Sequence, residues 1–351
     1  MTHMKQVSTI ILMLLVMAAT LSAATLRVNP EGSAGYSTMA AAYTAAVNGD
    51  TIVVAPGNYG ESLTSTKRLT WIGAGYDRTT TTYFQLAAGS AHTLIEGFHV
   101  EGVNPILLYA TADSVTIRRC RLVCTHQSYA PVYRYQATNG GWLTIEDCIL
   151  LHSYYGYGLY LSGDSCVVRN CIFSGSNSYV QYNAIYGSPR FLTVTNSTFL
   201  NYTNFFYLSG LFGMMFANNI VYDWVSTPAW GTYPSGAIFD YNATATAAAP
   251  GTNGMLITSN PFVNYDPSGP YNQATTDLHL TASTPLRNMG MPSIHNRDGS
   301  RSDFGVYGGP YQFVDGGAPD YPMVISLTVP PAIIGGDSLN INSVGRIGPR
   351  Y

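Results

Sequence analysis

The stretch Val115-Thr-Ile-Arg-Arg119-Cys120-Arg-Leu122 is one copy of a pattern that recurs along the chain: apolar, any, apolar, any, turn residue, small or apolar, any, apolar. The turn residues of all copies fall at positions 97, 119, 147, 170, 196, 218 and 259. The steps between them are 22, 28, 23, 26, 22 and 41 residues. Seven copies at nearly constant spacing predict a repeat protein, and the long last step predicts an insertion over 223–250.

Each copy has the features of a bent strand that covers a core. Alternate apolar residues before the turn predict a strand with one buried face. Five of the seven turn positions hold Gly, Asn or Asp, which tolerate the left-handed torsions of a sharp bend. A further apolar strand precedes most copies, at 106–109, 132–135, 158–161, 184–186, 205–208 and 237–240. One coil cannot bury its own inner face, so the pattern predicts an all-β solenoid, a parallel β-helix. A leucine-rich or helical solenoid is disfavoured, because the period is two.

Both ends of the repeat region resemble a known superfamily. At the N-terminal end the similar stretches are Val28-Asn-Pro-Glu-Gly32, Tyr36–Tyr43 and Gly49–Tyr59, and at the far end Ser283–Gly290 and Asp298–Pro310. The sequence over 26–310 is similar to the pectin-lyase-like superfamily of right-handed parallel β-helices. That resemblance implies a right-handed β-helix. It does not imply one activity, because the superfamily includes lyases, hydrolases, adhesins and non-catalytic proteins.

Three regions are expected along the chain. Residues 1–24 look like a signal peptide, with a basic start, a short apolar stretch and a small-residue cleavage site; the apolar stretch is too short for a membrane span. Residues 25–313 form the β-helix with N- and C-terminal caps, the first being a short helix that Ser37 or Thr38 caps. Residues 314–351 are a linker and β-rich tail, which either begins a truncated module or folds back on the solenoid.

Composition limits the possible partners. Charged residues make up 10% of the chain, the net charge is −3, and Lys5 and Lys67 are the only lysines. We therefore expect no nucleic-acid partner. An apolar fraction of 46% argues against disorder. Low charge with 35 Gly and 27 Tyr suits a β-rich protein that is secreted or held at the cell surface, and we expect a monomer.

Cys120, Cys148 and Cys171 occupy the same inward position of three copies, and should stack about 5 Å apart. We interpret them as a column of small apolar side chains; a disulfide or metal site is the alternative, although the spacing matches no zinc pattern.

The residue before each turn should point outward. Down the stack these residues are Glu96, Arg118, Glu146, Arg169 and Thr195, a ladder of alternating charge. We interpret it as mutual neutralisation on a solvated face. The alternative is that Arg118 and Arg169 bind an acidic sugar.

Catalytic candidates are few. The resemblance implies that a lyase would need an Arg or Lys base, commonly with calcium held by clustered carboxylates, whereas hydrolysis needs two facing carboxylates. Neither set is evident, and the best available pair is Arg119 with Asp147, at neighbouring turns. Asp298, Ser300 and Asp303 are spaced like part of a calcium loop, but we interpret them as a capping turn. We expect no cofactor other than calcium.

Tyrosines suggest a binding surface. Tyr109, Tyr160 and Tyr186 each lie six residues before the first apolar residue of a copy. Such a stripe could stack on sugar rings, although aromatic residues are also common in strands by propensity. We therefore expect a secreted or surface β-helix that binds polysaccharide along one side. The alternatives are a polysaccharide lyase or glycoside hydrolase acting on an acidic polysaccharide, and a structural or adhesive spacer.

Overall fold

The computed structural model describes most of the chain after residue 22. The described residues are 23–32, 35–109, 111–135, 141–153, 156–175, 183–202, 204–222, 229–245, 249–269, 271–318, 322–328 and 341–346, with the backbone alone for 229, 323–328, 342 and 346. Residues 1–22, and with them nearly all of the expected signal peptide, lie outside this set. No described helix is long and apolar enough to cross a membrane.

The chain winds into a right-handed parallel β-helix with three faces, as the repeat predicted. The first face contains β2 (Gly35–Tyr36), β1 (Thr25–Val28), β3 (Thr51–Val54), β6 (Thr70–Gly73), β9 (Leu94–Glu96), β12 (Val115–Arg118), β15 (Trp142–Glu146), the later halves of β17 (Tyr157–Arg169) and β19 (Asn183–Thr195), β22 (Gly213–Ala217) and β25 (Ile238–Asp240).

The other two faces follow in each coil. The second contains β4 (Gly57–Asn58), β7 (Thr79–Thr81), β10 (His99–Gly102), β13 (Arg121–Cys124), β16 (Ile149–His152), β18 (Ile172–Ser174), β20 (Thr198–Leu200), β23 (Ile220–Tyr222), β26 (Ala243–Thr244) and β27 (Met255–Leu256). The third contains β5 (Ser62–Ser65), β8 (Tyr83–Leu86), β11 (Ile106–Leu108), β14 (Val132–Arg134), the earlier halves of β17 and β19, β21 (Asn204–Leu208) and β24 (Ala229–Thr232).

The predicted turn residues make the bend between the first and second faces. Arg119, Asp147, Asn170, Asn196 and Asn218 all have positive φ, between 48° and 57°. This conformation lets the chain turn sharply and keep the next residue pointing inward. Successive copies are in register, as the pairing of Ile117 with Ile145 illustrates.

The prediction for the last copy was wrong. Ile238–Asp240 pairs with Met215–Ala217 on the first face, and Tyr241 supplies the left-handed turn with φ 50°. Met255–Leu256 instead pairs with Ala243–Thr244 on the second face. Part of the expected insertion is therefore the next coil. The reason it was missed is local: a tyrosine occupies the turn position, where the sequence pattern favours Gly, Asn or Asp.

The inward column after the turn is formed as predicted. Cys120, Cys148 and Cys171 are completely buried, and the Sγ of Cys120 lies 3.2 Å from the Arg118 carbonyl oxygen. Burial raises the pKa of the Cys120 and Cys148 thiols. Towards the C-terminal end the column becomes polar. There the Asn219 Nδ2 donates to the Asn242 Oδ1 at 3.1 Å, so buried amides pair with one another.

A short helix covers the N-terminal end of the core, as expected. Helix α1 (Met39–Ala45) begins after Thr38, whose Oγ1 accepts a hydrogen bond from the Ala41 amide. The Glu61 carboxylate accepts from the Met39 and Ala40 amides at 2.8 Å each. Lys67 donates to carbonyls at the other end of the helix. Charges of the favourable sign thus stabilise both helix ends.

The closing segment lies along the side of the solenoid rather than over its end. Residues 286–318, which we call the strap, run back over the turn column. Asn170 Nδ2 donates to the Val306 and Gly308 carbonyls at 2.8 Å each, and Asn196 Nδ2 donates to the Asp303 carbonyl at 3.1 Å. Apolar strap residues and outward residues of the second face form a second core, which includes Ile149, Ile172, Ile220, Leu286, Phe304, Val306 and Phe313.

Two antiparallel strand pairs lie outside the three faces. β28 (Phe262–Asn264) pairs with β29 (Asp277–Leu280), and β30 (Met323–Thr328) pairs with β31 (Asn342–Arg346). A 3₁₀ turn over Asp315–Gly317 ends the strap. The end of the strap touches the solenoid, because Gly316 donates its amide hydrogen to the Tyr76 hydroxyl at 2.8 Å.

Candidate functional site

Four tyrosines on the outer side of the third face form one column across successive coils. Tyr133 is in register with Tyr160, Tyr160 with Tyr186, and Tyr186 with Tyr207. We call these four residues the tyrosine row. The predicted alignment of Tyr160 with Tyr186 is present, whereas Tyr109 is not in this column, because Leu107 pairs with Tyr133. The loop between the third and first faces differs in length from coil to coil, so counting back from the first face misplaced it.

The rings of the row stack on one another. Tyr133 and Tyr160 have ring centroids 4.2 Å apart at 16°, and Tyr186 and Tyr207 have centroids 5.1 Å apart at 6°. Between these pairs, Tyr160 and Tyr186 are 5.0 Å apart. The coil spacing of a parallel solenoid imposes this distance. Stacked rings cover one another's faces, so the middle of the row offers ring edges and hydroxyl groups to solvent.

The row ends at Tyr133, and an open groove begins there. In the preceding coil, Leu107 occupies the position that Tyr133 holds in the row, and its side chain is smaller than a tyrosine and leaves space. The groove has a volume of about 920 Å³ and lies at the corner between the second and third faces. Its aromatic lining is Tyr83, Tyr109, Tyr129, Tyr133 and Tyr135, and its other lining residues include Ser62, Thr82, Glu101, Asn104 and Leu107. Tyr109, displaced from the row, therefore lies in the groove.

The groove tyrosines differ in orientation, unlike those of the row. Tyr129 meets Tyr133 edge to face, with centroids 5.6 Å apart. Tyr109 and Tyr135 are 40% and 43% exposed, so their rings are accessible to a ligand. Burial, reinforced by Tyr109 and Tyr129, raises the pKa of Tyr83 to about 12. The Tyr83 hydroxyl thus stays protonated at any physiological pH, and it donates to the Gln85 Oε1 at 2.8 Å.

One carboxylate supplies the charge of the groove. Glu101 is half exposed, and its Oε2 lies 3.1 Å from the His99 Nε2. Burial and the nearby Arg121 lower the pKa of His99 to about 4. His99 Nε2 is also 2.6 Å from the Arg121 Nη1, and a guanidinium can only donate, so this nitrogen is the acceptor. At neutral pH, His99 therefore does not neutralise Glu101.

The predicted charge ladder is present, but its carboxylates are buried and only its arginine side chains are partly exposed. Glu96, Arg118, Glu146 and Arg169 are in register, and the Arg118 Nη2 lies 2.7 Å from the Glu96 Oε2. Arg169 pairs with Glu146 in the same way. Glu96 and Glu146 are only 1% and 9% exposed, whereas the side chains of Arg118 and Arg169 are 31% and 25% exposed. The ring of Tyr311, a strap residue, lies 3.5 Å from the Arg169 guanidinium.

The catalytic candidates lie beneath the strap. Arg119 Nε is 3.7 Å from the Asp147 Oδ2, so the structure does bring the pair together. Arg119 Nη1 also donates to the Glu96 Oε1 at 3.1 Å and to the Ala318 carbonyl at 3.4 Å. Both side chains are less than 10% exposed. Burial raises the pKa of Asp147, although Arg119 opposes that shift. Neither residue lines the groove, which is at another corner of the coil.

The two calcium candidates have separate local roles. Asp298 Oδ1 accepts hydrogen bonds from the amide and hydroxyl of Ser300, at 2.9 and 2.6 Å. Asp303 Oδ1 accepts from the Asn288 amide at 2.6 Å. These bonds are those of turns. Over the part of the chain that the structure describes, no three His, Cys, Asp or Glu residues are grouped closely enough to hold a metal ion.

Several residues of the groove were not predicted as site residues from the sequence, among them Tyr83, Tyr129, Tyr133, Tyr135, Glu101 and Asn104. Tyr133 carried a usable signal, because it lies in the second strand of its coil as Tyr160 does. Tyr83 and Tyr129 belong to other coils and loops, and only the winding of the chain brings them together.

The topology of the coils defines a right-handed parallel β-helix. No protein-family model and no curated protein matches the chain. Among similar solved structures, a pectin methylesterase from carrot has 12% sequence identity and a TM-score of 0.49, and the match covers 69% of this chain and 91% of that chain. The pectate lyase Pel9A has 14% identity and a TM-score of 0.41, with coverage of 82% of this chain and 97% of that chain. A pectin methylesterase variant in complex with a hexasaccharide has 14% identity and a TM-score of 0.38, with coverage of 65% of this chain and 80% of that chain. Similarity at this level concerns the fold alone.

Proposed function

We propose that the chain binds a polysaccharide along its third face, across the groove and the tyrosine row. The observation that carries the proposal is the groove itself, an open cleft lined by five tyrosines at the end of a stacked row. A sugar ring has an apolar face and a hydroxylated edge, and tyrosine offers a matching ring and hydroxyl group. The row extends this surface over further coils in the direction of the helix axis, as an extended polymer requires.

The competing functions have less support. A lyase or hydrolase would need its acid and base at the binding surface, whereas Arg119 and Asp147 are buried beneath the strap. A structural spacer would have no use for an open aromatic groove. Exposed apolar surface at a cleft marks a binding site more often than a passive surface.

The test is a glycan array read beside an absorbance assay for uronate elimination. The double variant Tyr109→Ala/Tyr135→Ala removes two partly exposed rings, so we expect it to fold normally. We expect its affinity to fall by about tenfold or more, since each aromatic contact is worth about 1 kcal/mol. Phe212→Ala is the matched control, because Phe212 is 72% exposed and lies outside the groove.

Three outcomes separate the functions. Binding without turnover, lost in the double variant and kept in the control, supports the proposal. Turnover would establish an enzyme instead. The absence of both binding and turnover in these assays would favour the structural spacer instead.

We also propose that the protein is exported and cleaved after Ala24. The support is the signal-like sequence of residues 1–24. N-terminal sequencing of protein recovered outside the cytoplasm should begin at Thr25, and retention of the full N-terminus would contradict cleavage.

A further inference from the structure

We propose that the groove selects an uncharged, hydroxyl-rich glycan and rejects uronates. This inference rests on the proposed function and adds the class of sugar. It follows from the described residues that line the groove, which offer hydrogen-bond acceptors and the negative charge of Glu101, and which include no Arg or Lys.

The charge of the groove comes from Glu101. Its side chain is 49% exposed, and among the described lining residues there is no Arg or Lys to pair with a ligand carboxylate. His99 accepts from Arg121, so it leaves the Glu101 charge in place at neutral pH. Arg121 does not line the groove, although its charge interacts with that of Glu101 and offsets part of it. A uronate carboxylate in the groove would therefore meet a like charge, which costs affinity.

A second acceptor points to the same class of ligand. Asn104 lines the groove and is 8% exposed. Its Oδ1 is buried and accepts no hydrogen bond from the residues that the structure describes. A buried acceptor without a donor is unfavourable, and rotation of the Asn104 side chain towards the groove would let a ligand hydroxyl group supply that donor. A carboxylate could not, because it has only acceptor atoms.

The tyrosine hydroxyl groups complete the match. Burial raises the pKa of Tyr83 and of Tyr133, so both hydroxyl groups stay neutral. The Tyr83 proton is donated to the Gln85 Oε1, so towards a ligand the Tyr83 oxygen acts as an acceptor. A neutral tyrosine hydroxyl group without another partner can hydrogen-bond a sugar hydroxyl as donor or as acceptor. The groove therefore favours ligands with hydrogen-bond donors, can also bind ligand acceptors, and repels ligand anions.

The experiment compares two oligosaccharides that differ only in charge. The probes are an oligogalacturonate and the same oligomer after chemical reduction of its carboxyl groups, titrated by calorimetry at low salt, together with the neutral glycan that binds best on the array. We expect tighter binding of the reduced oligomer. Glu101→Gln should reduce the preference for the reduced oligomer by at least roughly threefold, the effect that one like charge at about 7 Å has in bulk water.

Glu31→Gln is the matched control, because Glu31 is an exposed glutamate that does not line the groove. It should leave the preference unchanged. Raising the salt concentration should also reduce the preference of the wild-type protein for the reduced oligomer over the oligogalacturonate.

Equal binding of both oligomers, or tighter binding of the uronate, would overturn the selectivity and leave polysaccharide binding intact. A preference that Glu101→Gln does not alter would overturn the role of this charge. If no glycan binds and the Tyr109→Ala/Tyr135→Ala variant changes nothing, the proposed function itself fails.

Discussion

Replacing Asn170 with glycine should release the strap from the solenoid without disturbing the turn. Asn170 has φ 50° and is 2% exposed, and its Nδ2 donates to two strap carbonyls at 2.8 Å each. Glycine adopts this left-handed conformation freely, so the variant removes the two hydrogen bonds and keeps the bend. A neutral hydrogen bond contributes about 1 kcal/mol, and glycine adds up to about 1 kcal/mol of unfolded-chain entropy. The expected loss of stability is about 2–3 kcal/mol.

The measurement combines urea unfolding with hydrogen exchange of the strap amides. We expect exchange over residues 302–309 to accelerate more than exchange in the first face, because the bonds lost hold only the strap. The matched control is Asn288→Gly. Asn288 also has positive φ, at 55°, but it bonds through its backbone amide, which glycine retains. If Asn170→Gly costs no more than this control, or if the strap amides exchange as before, the Asn170 side chain does not anchor the strap.

Three further predictions concern ionisable groups. Burial and Arg121 lower the pKa of His99 to about 4, so between pH 6.5 and pH 4 the unfolded chain binds a proton more readily than the folded chain. The free energy of unfolding should therefore fall by roughly 1–3 kcal/mol as the pH is lowered from 6.5 to 4. Urea titrations at each pH should show a weaker pH dependence of the free energy of unfolding in His99→Gln. Cys120 and Cys148 are buried with raised pKa values, so a thiol reagent should modify them only after unfolding; rapid labelling of the native protein would contradict their burial. Because the pKa of Tyr83 is about 12 and that of Tyr133 is also raised, glycan affinity should stay constant from pH 7 to 9 by calorimetry, and a fall near pH 9 would show that a groove tyrosine ionises.

The sequence predicted the solenoid because its signals are local. Alternation, the turn residue and the coil length lie within one repeat, and each repeat packs on its neighbour in the same way. The inward position of Cys120, Cys148 and Cys171 and the outward register of the charge ladder follow directly. The prediction of a copy at Met255 was wrong because it depended on local signals. The actual copy, at Ile238–Asp240, has Tyr241 at its turn, so its sequence pattern was weak.

The candidate site could be predicted only in part. Tyr160 and Tyr186 were found because they repeat at one offset, whereas Tyr109 was placed by the same rule and lies in a different column. Loop length between the third and first faces varies, and an error of two residues keeps a side chain on the same side of the strand but moves it to another column.

What the sequence determined by itself was the coil: which residues face inward, which residues turn, and that coils stack. Only the tertiary structure decided what the outer surface does. The strap returns from more than a hundred residues away to pack Tyr311 on Arg169 of the charge ladder. The winding of three coils joins Tyr83, Tyr109 and Tyr133 in one groove. Burial of an inward residue depends on neighbours at fixed spacing, whereas exposure of an outward residue depends on whichever distant segment covers it.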